Sequence, residues 1–240
     1  MTTMNAKAKM IAPETRAPRI TAIIPMRHDS KRVPGKNYRA LGDRPLYHHI
    51  AQTLLRVPQI SQVVIDTDSD VIRSDTTRNF PQIRVIQRPE HLRSDAVPMN
   101  DVLLNTVNQT DADFFLQTHS TNPMLSADTI SRGIDSFISS YPMYDSLFGV
   151  TRIQSRLWDG LSRPVNHNPA ILLRTQDLPP IYEENSCLYL FSKQTLQQQH
   201  NRIGLRPMML EIGRREAIDI DEEEDFQIAE MMYRARPLAA

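Results

Sequence analysis

Apolar positions along this 240-residue chain fall into two alternating patterns. Short unbroken runs at 20–24, 62–66, 83–87, 114–118, 146–150, 187–191 and 208–212 have the length and composition of buried strands. Between them lie segments with helical spacing. Residues 45–56 place Leu46, Ile50, Leu54 and Leu55 on one stripe before the Val57-Pro58 stop, and 99–107, 126–138 and 222–233 follow the same rule. The cluster Thr67, Asp68, Ser69 and Asp70 is rich in helix-capping residues and predicts a short helix running through Ile72. Strand, loop and helix recurring in this order predict a mostly parallel sheet wrapped by helices.

Two places depart from the rhythm. Pro25 is expected to end the first strand, and a loop then carries Arg27, Lys31, Arg32 and Lys36 around Ser30 and Gly35. Open α/β sheets place their ligands at strand carboxyl ends, and four cations with a hydroxyl suit a polyphosphate better than a single carboxylate. The same charges also fit a solvated basic loop. Neither GxxxxGK[ST] nor GxGxxG occurs, so a P-loop and a dinucleotide fingerprint are excluded. The second departure is 152–180, rich in Arg, Asn, Pro and Gln, which reads as an arm inserted into a single domain spanning 20–236.

Composition narrows the class. Lys plus Arg and Asp plus Glu are 28 each, so no charge excess points to nucleic acid or an anionic membrane. One cysteine, Cys187, rules out an intramolecular disulfide framework and fits a reducing, cytoplasmic compartment. Residues 1–19 have no apolar h-region and read as a mobile tail, and no segment has the apolar length of a membrane span.

In the run Ile218-Asp219-Ile220-Asp221, alternate side chains of an extended segment share a face, which puts Asp219 and Asp221 side by side. Two hard carboxylates suit Mg²⁺ shared with substrate phosphates. The same acids, just before Glu222, Glu223 and Glu224, equally suit the capping of a final helix. His48 and His49 lack ligand-spaced partners and read as a packed pair, Cys187 as a core residue, and His119 as a candidate pocket residue after a strand end.

The segments RHDSKRVPGKN, RPEHL, LQTHSTNP, QDLPPIYEENSCLYLF and IDID occur in the order seen in acylneuraminate cytidylyltransferases, which the chain resembles over about residues 19–236. The resemblance implies a Rossmann-like, nucleotide-diphospho-sugar transferase type of α/β fold with an inserted dimerisation arm. It also implies that CTP and a 2-keto-3-deoxy sugar acid of the nonulosonic, sialic type give a CMP-sugar and pyrophosphate with Mg²⁺. The protein is then expected to be a homodimer whose arm reaches the neighbour's site. Carried onto matching positions, Arg27, Ser30, Lys31 and Lys36 hold the triphosphate, with Asn37, Arg88 and Ser94 beside the cytidine. Gln117, Arg174, Gln176, Tyr182 and Asn185 face the sugar acid, Asp219 and Asp221 hold metal, and Arg27, Lys36 and Asp221 carry catalysis.

Three departures bear on substrate. Asp29 stands where the family commonly has glycine, Asn185-Ser186 replaces Asn-Gly, and LQTHSTNP is longer than the common LQPTSP. The alternatives they leave are a Kdo, legionaminic or pseudaminic acid cytidylyltransferase, or a nucleotide-binding relative without catalysis. A carboxylate facing phosphate at ~4 Å offsets roughly one lysine, so Asp29 must turn away, pair with arginine or bind metal.

Overall fold

The computed structural model describes residues 16–235, so most of the expected N-terminal tail lies outside the described residues. Seven strands form one sheet: β1 (Ile20–Met26), β4 (Ile60–Thr67), β5 (Arg84–Gln87), β6 (Phe114–Thr118), β7 (Ser146–Ile153), β8 (Ile181–Ser192) and β9 (Pro207–Glu211). A two-residue pair, β2 (Ala40–Leu41) and β3 (Arg44–Pro45), stands apart. The sheet order is β5-β4-β1-β6-β8-β7-β9, parallel from β5 to β6 and again between β7 and β9, with β8 antiparallel to both its neighbours. The mostly parallel, Rossmann-like sheet read from the sequence is the observed one.

Period-two alternation sorts the strand residues into two cores. Ala22, Ile24, Leu116, Leu188 and Leu190 pack toward α1 (Leu46–Leu55), α2 (Asp70–Asn79) and α4 (Ala127–Ser140). Ile23, Phe115, Tyr189 and Phe191 pack the other way, with Leu103 and Val107 of α3 (Met99–Asn108) and Leu196 of α5 (Lys193–Gln199). A third, smaller core joins Val33, Leu41, Leu46 and Ile220 to Phe226 and Ala229 of α6 (Glu223–Arg234). It fastens the basic loop to the chain's last helix.

Three expectations shift. Pro25 does not end β1, which stays paired with β4 as far as Met26, although its pairing with β6 stops at Ile23. Helix α2 runs past Ile72 to Asn79, started by a hydrogen bond from the Ile72 amide to the Ser69 side chain. Helix α5 was not expected, because its Gln-rich run shows no apolar stripe; Ser192 caps it through the Thr195 amide. From 154 to 180 the chain has one short 3₁₀ turn and an isolated bridge between Trp158 and Pro164. Trp158, Leu161, Val165, Ile171, Leu172 and Leu173 are all exposed there, Leu172 at 89%.

Candidate active site

β1 is the point where the sheet changes direction, since the chain runs from it to β4 and β5 on one side and returns to β6 on the other. Such a switch point opens a crevice at the strand carboxyl ends. Here the parting of β1 from β6 after Ile23 leads into a cleft of about 650 Å³, lined by Arg27, Lys31, Lys36, His119, Asp219 and Asp221 among others. A second cleft of about 440 Å³, bordered by Glu183, Asn185 and Arg214, shares Ser186 and Asp219 with the first. Both volumes lie in the range of small-ligand sites.

The basic loop is shaped before any ligand arrives. Gly35, at φ +65, accepts the amides of Tyr38 and Arg39 in a tight turn, and an added Cβ there meets the Tyr38 ring at 2.8 Å. Asn37 ties the loop together, donating to the Arg27 carbonyl at 2.8 Å and accepting from the Ser120 hydroxyl at 2.6 Å. Arg39 forks onto Glu223 at 2.6 and 2.7 Å and lies 4.0 Å over the Phe226 ring. Each loop cation has an acidic partner. Arg27 and Lys31 both meet Asp95, Lys31 at 2.6 Å; Arg32 bridges Asp221 at 2.8 Å and Glu222 at 3.0 Å. Lys36, largely buried, donates to the Ile220 carbonyl at 2.5 Å and stands 3.6 Å from Asp221. The hydrogen bond from Lys31, with Arg27 nearby, holds the Asp95 carboxyl below the usual carboxylate range.

Alternation in the second motif falls as expected, with Ile218 and Ile220 packed into the small core and Asp219 and Asp221 lining the cleft. The segment is pinned by the Ile220 amide on the Thr121 carbonyl and by Asn122 on the Ile218 carbonyl. Capping of α6 falls to Glu222, in a reciprocal box with Asp225 whose carboxylate also takes the Asp221 amide. The Asp221 side chain is thus not the cap. Burial raises the Asp219 carboxyl above its ordinary range, Asp221 adds to the rise, and Thr121 and Lys36 oppose it. Its Oδ1 is buried without a hydrogen-bond partner. An orphaned carboxylate oxygen beside a second carboxylate fits a hard divalent cation that takes one or two protein carboxylates and completes its shell elsewhere. No group of three or more His, Cys, Asp or Glu able to hold a metal occurs among the described residues.

The remaining expected residues divide. Ser30 lines the first cleft, and Ser94 borders a smaller adjoining hollow with Arg27, Lys31 and Asp95. Asp29 borders both the first cleft and the smaller hollow, its side chain 94% exposed and its carboxylate 4.0 Å from the His28 ring. Arg88 does not reach the cleft surface: fully buried, it donates from Nε to Asp66 at 2.6 Å, and Thr106 takes the other Asp66 oxygen. This buried pair bolts β4, the end of β5 and α3 together, and removing either partner strands a charge at a cost of about 3–5 kcal/mol. Gln117 is likewise fully buried. Arg174 forks onto Asp177 at 2.7 and 3.1 Å in the exposed arm, next to Gln176, and Tyr182 lies on β8 opposite Arg152. None of these three lines either cleft. Asn185 borders the second cleft and braces its wall by donating to Thr151 at 3.1 Å.

Asp95 and Ser186 line the clefts, as the resemblance implies for the 94–96 backbone and for the Asn185-Ser186 pair, whereas Arg202 and Arg214 reach them with no signal in the sequence. The expected bystanders are packed: His48 bonds Asp75 at 2.6 Å, His49 bonds the Leu41 carbonyl, and burial pushes the Cys187 thiol up to about 12.

Fold and site together have the plan of a nucleotidyltransferase. A family model described as Cytidylyltransferase matches residues 21–236, and the chain belongs to that family. It is 25% identical over 239 residues to post-translational flagellin modification protein B of Campylobacter coli, covering 92% of this chain and 97% of that one. It is 25% identical over 218 residues to N-acylneuraminate cytidylyltransferase A of Danio rerio, covering 88% of this chain and 50% of that one. The chain therefore spans nearly all of the first relative and about half of the second. Among solved structures, a CMP:2-keto-3-deoxy-manno-octonic acid synthetase complexed with CTP superposes with a TM-score of 0.71 at 14% identity, covering 90% of this chain and 98% of that one.

Proposed function

We propose that this protein is a cytoplasmic, Mg²⁺-dependent cytidylyltransferase that joins CMP from CTP to a nonulosonic acid and releases pyrophosphate. The observation that carries it is the meeting of a four-cation loop with the Asp219–Asp221 pair in one cleft. In the reaction a sugar hydroxyl attacks the α-phosphorus, the bond to pyrophosphate breaks, and the hydroxyl proton passes to water. Most of the acceleration in such transfers comes from positioning and charge neutralisation.

Arg27, Lys31, Arg32 and Lys36 exchange their carboxylate partners for phosphate oxygens, and the Ser30 hydroxyl adds a donor. Lys36 has the most fixed head, held on the Ile220 carbonyl. Asp219 and Asp221 hold Mg²⁺, which when bound neutralises charge on the triphosphate. The second cleft receives the sugar acid, and Arg214 is the cation there to meet its carboxylate. The exposed apolar residues of 158–173 are the contact of a homodimer, since contiguous exposed apolar surface marks interaction sites. No helix among the described residues is long and apolar enough to cross a membrane.

The test is pyrophosphate release with each of the four ribonucleoside triphosphates, Mg²⁺ and a panel of N-acetylneuraminic, legionaminic, pseudaminic and Kdo acids. Release with CTP and one acid alone is the expected result. Bound CTP with silence across the panel points to an acid outside the panel or to a nucleotide-binding protein on the same scaffold.

A further inference from the structure

Two side chains of the cleft wall, Arg202 and His119, and the buried Gln117 between them form a hydrogen-bonded chain whose polarity is fixed by chemistry. A guanidinium can only donate. Arg202 Nη1 donates to Gln117 Oε1 at 2.8 Å, so the amide nitrogen of Gln117 faces the other way, toward His119 Nε2, also at 2.8 Å. An amide nitrogen likewise only donates, and this ring nitrogen must be the acceptor and carry no proton. The imidazole proton is therefore on Nδ1, which has no hydrogen-bond partner among the described residues, while the ring lines the cleft with Lys36, Ser120 and Asp219.

The chain is firmly held at both ends. Gln117 is fully buried at the end of β6, and the Arg202 guanidinium stacks 3.7 Å over the Tyr189 ring. Burial, with Arg202 and Lys36 adding to it, lowers the His119 pKa to about 3. A ring fixed in this way is not a general base, because its basic nitrogen is turned from the cleft onto Gln117. It is a neutral donor, a role imidazole fills in enzymes whose sites keep it uncharged.

We propose that His119 donates a hydrogen bond from Nδ1 to an acceptor oxygen of the bound nucleotide, and that Gln117 and Arg202 are positioning residues that hold it in that tautomer. This rests on the nucleotide assignment of the first cleft, and it moves Gln117 from the sugar acid, which its burial keeps it from touching, to the support of a neighbour. It also gives the extra length of LQTHSTNP a purpose.

Two measurements test it, the first without any ligand. ¹⁵N NMR of histidine-labelled protein should show His119 as the Nδ1–H tautomer and neutral from pH 5.5 to 8.5. Gln117→Leu, or the more exposed Arg202→Met should that variant fail to fold, should mix the tautomers. An Nε2–H ring in the wild-type protein, or an unmoved tautomer in a folded variant, overturns the lock. The second is calorimetric titration with CTP and Mg²⁺. His119→Ala should weaken binding about 3- to 10-fold, the worth of one neutral hydrogen bond, and His119→Asn, whose amide reaches the place of Nδ1, should restore most of it. Equal affinity in wild type and His119→Ala overturns the donor role alone. A wild-type protein that binds no CTP overturns the nucleotide assignment, and the donor's target with it.

Discussion

Around the first cleft, the cations of the basic loop are already matched by Asp95, Asp221 and Glu222. Around the second, Arg214 lies among Glu183, Glu184 and Asp219 with no ion pair among the described residues, and the arginine expected there, Arg174, is occupied by Asp177 out in the arm. One wall is finished and the other is not. On the proposed reading, a loop already held by carboxylates needs little reorganisation to exchange one set of anions for phosphate. The second cleft keeps Arg214 without an ion pair among the described residues, and Arg174, Gln176 and Tyr182, expected beside the sugar acid, lie off its walls. On the proposed homodimer, the arm of a second copy would supply that missing side.

The sharpest way to break this contrast is through the finished wall. Lys36→Ala is expected to lower kcat about 10²- to 10³-fold, the usual effect of losing one fixed donor to developing charge, while circular dichroism stays native. Near-normal turnover removes the triphosphate from this loop. Asp221→Asn comes next, with a loss of about 10²-fold and a flattened Mg²⁺ titration. An unchanged titration leaves the metal without its carboxylate pair. The second effect is the smaller because Asp219 still offers its unpartnered oxygen.

The contrast also marks what the chain declares in its sequence. Strand β6 and helix α4 were legible because each has a clean apolar period, and the loop and the acid pair because their chemistry is local: four cations within ten residues, two carboxylates two apart. The burial of Arg88 was illegible for the opposite reason. Its partner Asp66 lies 22 residues away on another strand, and nothing local says that an arginine will be buried on it. Arg202 and Arg214 belong to no motif and reach the clefts only when the sheet closes. The capping reading of Asp221 could be set aside only once Glu222 and Asp225 were seen to cap α6 between themselves.

A gentler probe of the finished wall is Asp95, the acid shared by Arg27 and Lys31. It competes with the phosphates for both. Asp95→Asn should tighten CTP binding about two- to fivefold at low salt, the reach of exposed pairs, and the gain should shrink as salt screens it. The lowered folded-state pKa of Asp95 sets the sign for stability. Its contribution is present above the unfolded carboxylate value and lost as pH falls through the folded one, so the variant should melt below wild type at neutral pH and match it in acid. Weaker CTP binding in Asp95→Asn would make this acid part of the nucleotide site rather than a stand-in for its phosphates.

The smallest expected effect concerns the seam between the clefts. Ser186 borders both and holds φ at 56°, the left-handed region, at the position where the resembled family has glycine. For a residue with a Cβ that conformation costs about 1–2 kcal/mol. The backbone needs it here: β7 and β8 slip register between Phe148 and Val150, and Ser186 sits opposite that slip. Serine offsets part of the cost through its hydroxyl, which lies 3.3 Å from the Tyr189 phenol oxygen, within hydrogen-bond distance. Ser186→Gly should therefore raise Tm by about 2–4 °C for each kcal/mol relieved. If the hydroxyl serves only Tyr189, kcat/KM for the acid stays within about twofold, since the Tyr189 phenol keeps Glu184 as acceptor. A Tm gain joined to a loss of tenfold or more in kcat/KM for the acid, with CTP unaffected, would show that the chain keeps a strained serine in order to read the sugar, and would assign the seam to the unfinished wall.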